Sequence, residues 1–436
     1  MIWKIKKQLL TRKQVGGHKL CSKYLIFFFI LLFSKNLYSS QIYDYQTEKF
    51  IEKINLNILS VNSYDKEINF RIIKDDFPNA FVTEDSTLYL SSGLLVYSHD
   101  YVSLLGVLAH EIGHLEKYHV SSRKNEINNL KKLNSFGNLV TVVGSMIIQE
   151  PSIINTVILN QTSINNLFIK FTQEQEIEAD FYAVETLNSL NLSTNSIKEF
   201  LLLLENKTKF DLIDDELKKF STHPLFEQRY KILEFKETDK KYNYDKNLQN
   251  DFNFIKAKFI AYTENGLENE LVGDYKAYYN AIKYAKDGNL KDSLKKINSL
   301  ISKNNTNVFL IETKADILLS YGFSNEAINF YRKVLQAQPQ NNYVKYNIFT
   351  NLNYKNKNLK FKKTFFFENI NLIEFFPNNK ILLTELYYLS KILNYKDWIF
   401  FFETLLFDKK NFNTNLKQLE KLTKDINLKK LIKLYS

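Results

Sequence analysis

The chain has 436 residues, of which 44% are hydrophobic, 11 are Gly and five are Pro, which predicts two or three globular domains with little room for long structureless linkers. The net charge of +11 suggests nucleic-acid binding, but residues 1–40 hold eight of the 59 basic residues and no acidic one. The rest of the chain therefore has 51 basic against 48 acidic residues, a net of +3, which excludes a nucleic-acid interface built on a strongly basic surface.

The first 40 residues have the layout of a secretory signal peptide. A basic stretch precedes an apolar core, YLIFFFILLF at Tyr24–Phe33, and small polar residues follow at Ser39 and Ser40. The ten apolar residues are fewer than the roughly 20 needed to span a bilayer, so a retained anchor is the less favoured alternative. The only cysteine, Cys21, precedes the apolar core, so the exported chain has no cysteine for disulfides, thiol catalysis or metal binding.

Apolar periodicity and turn residues predict the elements that follow. They are, in chain order, a helical pattern at 51–59, strands and turns at 71–98, a helix at 100–119, two short apolar pieces at 139–171, and helices at 172–190 and up to about 204. The two apolar pieces are each too short to span a membrane. We interpret them as a buried helical pair, with a membrane-dipping flap over the site as the alternative.

The C-terminal part contains a repeat of 34 residues. The matching pairs are Ala281 and Ala315, Gly288 and Gly322, Ser293 and Ala327, Ile297 and Tyr331, and Leu300 and Val334. This spacing resembles the tetratricopeptide repeat (TPR), a helix pair that stacks on its neighbours with Gly at the turn. From Tyr343 onward the sequence is helical and rich in Phe, which predicts degenerate repeats or a cap. We predict three segments: a signal peptide at 1–40, a first domain at 41–250 and a repeat domain at 251–436.

The stretch VLAHEIGHLEKYHV, Val107–Val120, holds three of the chain's six histidines. His110 and His114 lie four residues apart, so both imidazoles leave one face of a helix and can bind one tetrahedral metal ion at about 2.0 to 2.1 Å. Glu111 lies beside the first ligand and can take a proton from a water molecule at the metal. A surface helix with incidental histidines is the alternative, but the flanking positions are apolar, so we predict a buried metal-binding helix.

His119 is not expected to be the third ligand. It lies five residues beyond His114, which on a helix turns it about 140 degrees away, so we interpret it as a surface or packing residue. The metzincin pattern requires glycine at 117 and histidine at 120, where this chain has Lys117 and Val120. That class of metalloprotease is excluded.

A carboxylate is the remaining choice for the third ligand. In the segment QEQEIEADFYAVETL, Glu176 and Asp180 lie four residues apart on one helical face, so one can bind the metal while the other orients a ligand histidine. Glu174 and Glu178 form a competing pair with the same spacing. Spacing alone does not choose between the two pairs.

HEIGH followed by EIEAD resembles the zinc metallopeptidase family of the CAAX prenyl proteases and HtpX. In that family, the first Glu of a distant E-x-E/Q-A-D pattern binds zinc. The resemblance implies that His110, His114 and Glu176 bind one Zn²⁺ per chain and that Glu111 is the general base. It also implies that Asp180 supports the ligands.

Two further stretches resemble the same family. PNAF, at Pro78–Phe81, resembles its edge strand, on which a substrate peptide lies by β-augmentation. The substrate-binding residues implied there are Asn79, Ala80 and Phe81. STHPLFEQR, at Ser221–Arg229, resembles its His-Pro segment. His223 would then stabilise the oxyanion or act as a removable plug on zinc, and Arg229 would hold the segment in place, whereas from sequence alone His223 is a loop histidine before proline.

The TPR-like tail and the signal peptide narrow the resemblance to the periplasmic BepA-like subgroup. The implied fold class is α+β: a mainly helical gluzincin-type metalloprotease domain with a small β-sheet, followed by an α-helical TPR-like solenoid. The implied function is a periplasmic zinc endopeptidase that cleaves unfolded or misassembled envelope proteins, in quality control or outer-membrane protein assembly. Its tail would contact the assembly machinery, and peripheral membrane contact is compatible with this function.

Two alternatives remain open. The tail can be the working part, acting as a chaperone or scaffold for envelope proteins with a minor or regulated protease activity. An integral-membrane protease would require spans that the sequence does not contain outside its N-terminus.

Overall fold

A computed structural model of the chain describes residues 41–62, 64, 66–121, 171–210, 227–235, 242–264, 266–408 and 410–435. The predicted signal peptide, the apolar segment at 139–170 and His223 lie outside the described residues. The described residues divide into two compact units, which meet in the sequence between Tyr279 and Asn280.

The first unit contains a four-stranded sheet. Its strands are β1 (Gln41–Ile42), β2 (Asn69–Ile73), β3 (Ala80–Val82) and β4 (Thr87–Ser91). The strand order is β1-β2-β4-β3, with β2 and β4 parallel and the outer pairs antiparallel. Within the described residues, β3 is therefore an edge strand.

A tight turn at TEDS, residues 83–86, joins β3 to β4. The backbone N–H of Ser86 donates to the carbonyl of Thr83 at 3.0 Å, and Ser86 has a φ of 58°. The Thr83 hydroxyl donates to the carbonyl of Thr87 at 3.0 Å. These contacts form a hairpin turn without glycine or proline, because a short polar side chain can tolerate the left-handed region.

The helices of the first unit are α1 (Tyr45–Ser60), α2 (Ser92–Tyr97), α3 (Tyr101–Glu116), α4 (Gln173–Ser189), α5 (Asn195–Phe210), α6 (Glu227–Phe235) and α7 (Lys246–Thr263), with a 3-10 turn at Leu267–Glu270. Helices α2 and α3 pack against this sheet. Polar side chains start α3 and α4: Asp100 and Ser103 form one capping box, and Thr172 and Gln175 form another.

Helices α3 and α4 pack closely along the HEIGH sequence. A Cβ atom added at Gly113 would lie 3.0 Å from Cβ of Tyr182 and 3.2 Å from Cα of Ala179. The backbones can approach this closely only because residue 113 has no side chain. The glycine therefore brings the carboxylates of α4 within reach of the histidines of α3.

The structure places α7 in the first unit. It packs against α1, α2 and α3, and its Phe252 stacks on Phe50 of α1 with ring centroids 5.9 Å apart. Lys258 forms a partly buried ion pair with Asp44 at 2.6 Å. The predicted boundary after residue 250 would cut this helix, so the compact unit extends 29 residues further, to Tyr279. The segment at 236–246, KETDKKYNYDK, is mostly charged, and this change in composition indicates a boundary earlier than the one that packing sets.

The second unit consists of helices in the described residues. They are α8 (Gly273–Lys286), which begins before the division, α9 (Leu290–Lys303), α10 (Val308–Ser320), α11 (Ser324–Ala337), α12 (Asn342–Asn351), α13 (Leu359–Asn369), α14 (Leu372–Phe375), α15 (Lys380–Ile392), α16 (Lys396–Phe407), α17 (Phe412–Leu422) and α18 (Ile426–Ile432).

Equivalent positions of the 34-residue repeat have the same environment. Gly288 and Gly322 occupy the turns after α8 and α10 with φ values of 86° and 85°. The other pairs are buried at helix contacts: Ala281 and Ala315, Ser293 and Ala327, Ile297 and Tyr331, and Leu300 and Val334. The period therefore corresponds to successive helix pairs whose turns and inner positions match.

The predicted fold class is confirmed: the chain is α+β and mainly helical, with one small sheet and a helical C-terminal part. Among the described helices, none has the length and apolar character that crossing a membrane requires.

Candidate metal centre

Helix α3 carries two histidines and a glutamate at its buried C-terminal half. His110, Glu111 and His114 are each at most 4% exposed. The Nε2 atoms of His110 and His114 lie 3.1 Å apart, and the two rings meet at 78°. One turn of helix thus aims both ring nitrogens at one point.

Helix α4 brings a carboxylate to the same point. The Glu176 carboxylate lies 3.4 Å from Nε2 of His110 and 3.5 Å from Nε2 of His114, measured from its two different oxygens. Glu176 and Asp180 are completely buried, whereas Glu174 is exposed and Glu178 points towards His119. Packing therefore turns the pair at 176 and 180 towards the histidines.

The spacing of these three side chains fits one metal ion. Four ligands at about 2.0 to 2.2 Å from a tetrahedral ion lie about 3.3 to 3.6 Å from one another. The observed separations of 3.1, 3.4 and 3.5 Å come close to this range, each histidine being measured to a different oxygen of Glu176. His110, His114 and Glu176 form the cluster with metal-ligand chemistry within the described part of the chain.

Asp180 and Arg229 surround this cluster. Oδ1 of Asp180 lies 2.8 Å from Nδ1 of His110, which leaves Nε2 of that ring for a metal ion. Arg229, on α6, donates to both oxygens of Asp180 at 2.7 Å and contacts Glu176 at 2.8 Å. In the structure, Arg229 ties α6 to α4.

The buried charges also favour a divalent cation. Glu111, Glu176 and Asp180 supply three carboxylates, and Arg229 supplies one cation. Burial alone would lower the pKa of His110, but hydrogen bonds to Asp180 and Glu176 raise it to about 9. Three carboxylates beside one guanidinium leave an excess of negative charge, which a 2+ ion at the two histidines would balance.

His119 is the residue that the sequence analysis missed. It is 4% exposed, its Nδ1 lies 3.0 Å from Nδ1 of His114, and its Nε2 lies 2.9 Å from the Glu178 carboxylate. The prediction of a surface or packing residue assumed a helix through residue 119, but α3 ends at Glu116. Tyr118 then has a φ of 58°, which turns the chain back towards His114. The sequence signal for this contact was the presence of a third histidine, His119, shortly after His110 and His114.

The predicted substrate residues lie at the edge of the sheet beside α3. Ala80 and Phe81 belong to β3, and Asn79 precedes it. The N–H of Ser91 donates to Asn79 and the N–H of Thr83 donates to Thr87, so the backbone groups of residues 79, 81 and 83 face β4. Those of Ala80 and Val82 face away from β4 and are the groups that a further strand would pair with. The side chains of β3 are buried.

Of the two predicted site residues Arg229 and His223, the structure describes only Arg229. Arg229 contacts the metal-site carboxylates, as described above. His223 lies outside the described residues, so its role stays a prediction from the resemblance.

A buried His-His-Glu cluster with a second glutamate beside it has the ligand chemistry and the neighbouring base that metallopeptidase sites use. The model of Peptidase family M48 matches residues 46–236 of this chain. The match includes every residue of the cluster and both helices that carry the ligands.

The chain is also similar to proteins named Beta-barrel assembly-enhancing protease. It is 24% identical to that of Escherichia coli (strain K12) over 296 residues, which are 64% of this chain and 60% of the relative. It is 25% identical to that of Yersinia pestis over 310 residues, which are 66% of this chain and 61% of the relative. The matched part thus spans about three fifths of the length of these relatives.

Proposed function

We propose that this protein is a zinc-dependent endopeptidase of the periplasm that cleaves unfolded or misassembled envelope proteins during outer-membrane protein assembly or quality control. The observation that carries the proposal is the buried His110, His114 and Glu176 cluster at metal-ligand separations, with Glu111 beside it. The names of the similar proteins support the assembly context.

When bound, zinc would polarise the scissile carbonyl and make a water molecule a stronger nucleophile at neutral pH. His110, His114 and Glu176 would hold the ion. Glu111 accepts a proton from the attacking water and donates it to the leaving amine, because its carboxylate is buried next to a ligand. Burial would lower the pKa of Arg229, but Asp180 first and then Glu176 and Glu111 raise it, so Glu111 is one of the carboxylates near this guanidinium.

A substrate peptide would be held by its backbone. The outward N–H and C=O groups of Ala80 and Val82 can form ladder hydrogen bonds with an added strand. Because β3 packs against α3, a peptide at that edge would lie next to the metal-binding helix. Main-chain pairing requires no particular side chain, which suits an enzyme that acts on diverse unfolded polypeptides.

A Glu111→Gln variant tests this function. Gln has nearly the same volume but cannot accept the proton, so we expect cleavage of a denatured protein such as casein to fall about 10²- to 10⁴-fold. Metal analysis of the purified full chain should still find one zinc ion per chain. Glu199→Gln is the matched control, because Glu199 is exposed on α5, and it should leave cleavage unchanged.

Metal analysis distinguishes a variant that has lost a metal ligand from one that has lost only the general base. Glu176→Ala should lose most of its zinc, because it removes one of three protein ligands. A wild-type protein without zinc, or a Glu111→Gln variant that cleaves casein at the wild-type rate, would contradict the proposal.

The scaffold function is the second candidate, and an observation in the tail favours it. Ile381, Tyr388 and Ile392 of α15 and Phe407 of α16 are large apolar side chains exposed to solvent. The three on α15 are spaced seven and four residues apart, so they lie along one face of the helix. If the cellular function depends on the C-terminal helices alone, a strain that lacks this gene will be fully complemented by the Glu111→Gln variant.

A further inference from the structure

We propose that His119 is a positioning residue for the metal centre: it orients His114 and fixes its tautomer, so that Nε2 of His114 is presented to the ion. The inference rests on the proposed zinc function and adds a residue outside the ligand set. It rests on two successive contacts, one between His114 and His119 and one between His119 and Glu178. Both are within hydrogen-bond distance.

The order of the contacts determines where the protons lie. Nε2 of His119 faces the Glu178 carboxylate at 2.9 Å, and a carboxylate only accepts, so this nitrogen carries the proton. A neutral His119 then accepts at Nδ1. Nδ1 of His114, 3.0 Å away, must be the donor. Nε2 of His114 is therefore the unprotonated nitrogen, and the unprotonated form is the one that binds a metal ion.

Each ligand histidine is thus linked to a carboxylate of α4, His110 by a direct contact and His114 through a second histidine. His110 reaches Asp180 directly at 2.8 Å. His114 reaches Glu178 only through His119. Residues 176, 178 and 180 of one helix consequently supply a ligand and the two groups that orient the other ligands.

Local packing supports this orientation of His114. The ring of Phe171 stacks on the His114 ring at 19°, with centroids 3.7 Å apart. The stacking restricts rotation of the ring out of its plane, and the hydrogen bond to His119 restricts rotation within it. The left-handed turn at Tyr118 is what places His119 at the Nδ1 edge.

The Glu178 end of the chain is open to water. Its side chain is 57% exposed, against 5% for the His119 side chain. Water can replace the Glu178 carboxylate as an acceptor, but it has no comparable access to the bond between the two imidazoles. The acceptor at Nδ1 of His119 is therefore the feature that carries the effect.

Two substitutions at residue 119 separate this role from packing. His119→Phe keeps the ring and removes the acceptor, so we expect the zinc dissociation constant to rise about 10- to 100-fold. His119→Asn places its Oδ1 where Nδ1 was, so it still accepts from His114 and should stay within about threefold of the wild type. The measurement is competition against a chromophoric zinc chelator with the full chain at fixed pH.

The controls distinguish failure of this inference from failure of the proposed function. His99→Phe makes the same change at an exposed histidine and should leave zinc affinity unchanged. A wild-type chain that binds no zinc contradicts the proposed function. A wild type that binds zinc, with His119→Phe within twofold of it, overturns the positioning role alone, and so does His119→Asn losing as much affinity as His119→Phe.

A measurement on the wild-type protein keeps the inference testable if His119→Phe does not fold. Long-range proton–nitrogen correlation of full-length protein labelled at the histidine nitrogens reports which ring nitrogen carries the proton. We expect a neutral His119 protonated at Nε2, with its signal assigned from the His119→Asn spectrum. A His119 protonated at Nδ1 in the zinc-bound protein would overturn the proposal.

Discussion

The charge of each buried acid in this protein depends on the residues that face it. Burial would raise the pKa of Asp180, but Arg229 and His110 lower it below its ordinary value. Glu48, half-buried on α1, has only weak compensation from Arg71: burial and the nearby Asp44 raise its pKa from 4.5 to about 7. Asp180 is thus held ionised next to the metal ligands, while Glu48 stays protonated in weak acid.

The raised pKa of Glu48 predicts a pH-dependent loss of stability. The folded protein binds this proton more tightly than the unfolded chain, so its stabilising effect is full below pH 4.5 and is lost as pH rises to about 7. Glu48→Gln stays neutral, and we expect it to unfold with a free energy about 1 to 2 kcal/mol higher than the wild type at pH 8. At pH 4 the two should be similar.

Urea unfolding of both proteins at the two pH values, followed by circular dichroism, measures this difference. Glu52→Gln is the control, since Glu52 is exposed on the same helix and should show no gain at pH 8. Equal pH dependence of the Glu48→Gln variant and the wild type would contradict the assignment.

At the scale of elements, the contact between α3 and α4 decides whether a metal centre exists. The histidines belong to one helix and the carboxylates to the other, 62 residues apart in sequence for His114 and Glu176. Gly113 lies in this contact, and α6 reinforces it from outside through Arg229. Small displacements of α4 therefore change the ligand geometry directly.

Gly113→Ala should weaken zinc binding by pushing α4 away. Alanine adds helix propensity worth about 1 kcal/mol, but overpacking against Tyr182 and Ala179 typically costs about 1 to 3 kcal/mol. We expect a net loss of thermal stability and a zinc affinity reduced about tenfold, since displaced outer-shell groups cost 10- to 100-fold. Chelator competition and thermal unfolding measure the two effects.

Gly106→Ala provides the control on the same helix. Its added Cβ would meet the side chain of Ile197, on α5, at 3.1 Å. Helix α5 supplies no candidate ligand, so zinc affinity should not change. Wild-type affinity in the Gly113→Ala variant would mean that the close approach of α3 and α4 is not what positions Glu176.

At the scale of the whole molecule, the metal centre belongs to the first compact unit only. All three candidate ligands, with Asp180 and Arg229, precede residue 279. A ligand that binds only the folded state stabilises it by about 2.7 kcal/mol at 100 times its dissociation constant. Zinc should therefore act on one unit and leave the other unchanged.

Hydrogen exchange of the full chain with and without zinc tests this division. We expect added protection in peptides from α3, α4 and α6 and none in peptides from α9 to α18. Trp398 gives a second signal, because it is buried in the second unit and the other tryptophan, Trp3, lies in the predicted signal peptide. Its unfolding midpoint should not depend on zinc, and a zinc-dependent midpoint would show that the units are energetically coupled.

Periodicity by itself determined several features of this protein. The four-residue spacing of His110 and His114 places two imidazoles on one helical face in any context, because the helix repeats every 3.6 residues. The 34-residue spacing of Gly288 and Gly322 likewise placed the turns of successive helix pairs. These features depend on local backbone geometry, which neighbouring residues specify.

Other features were decided only by tertiary structure. Spacing could not choose between the pair Glu176 and Asp180 and the pair Glu174 and Glu178, because both lie four residues apart; packing of α4 on α3 buried the first pair. The contact of His119 with His114 could not be predicted from a helix extended through residue 119, because the chain leaves the helix after Glu116 and turns at Tyr118. Which distant side chains meet depends on how segments pack, and sequence periodicity carries no information about that.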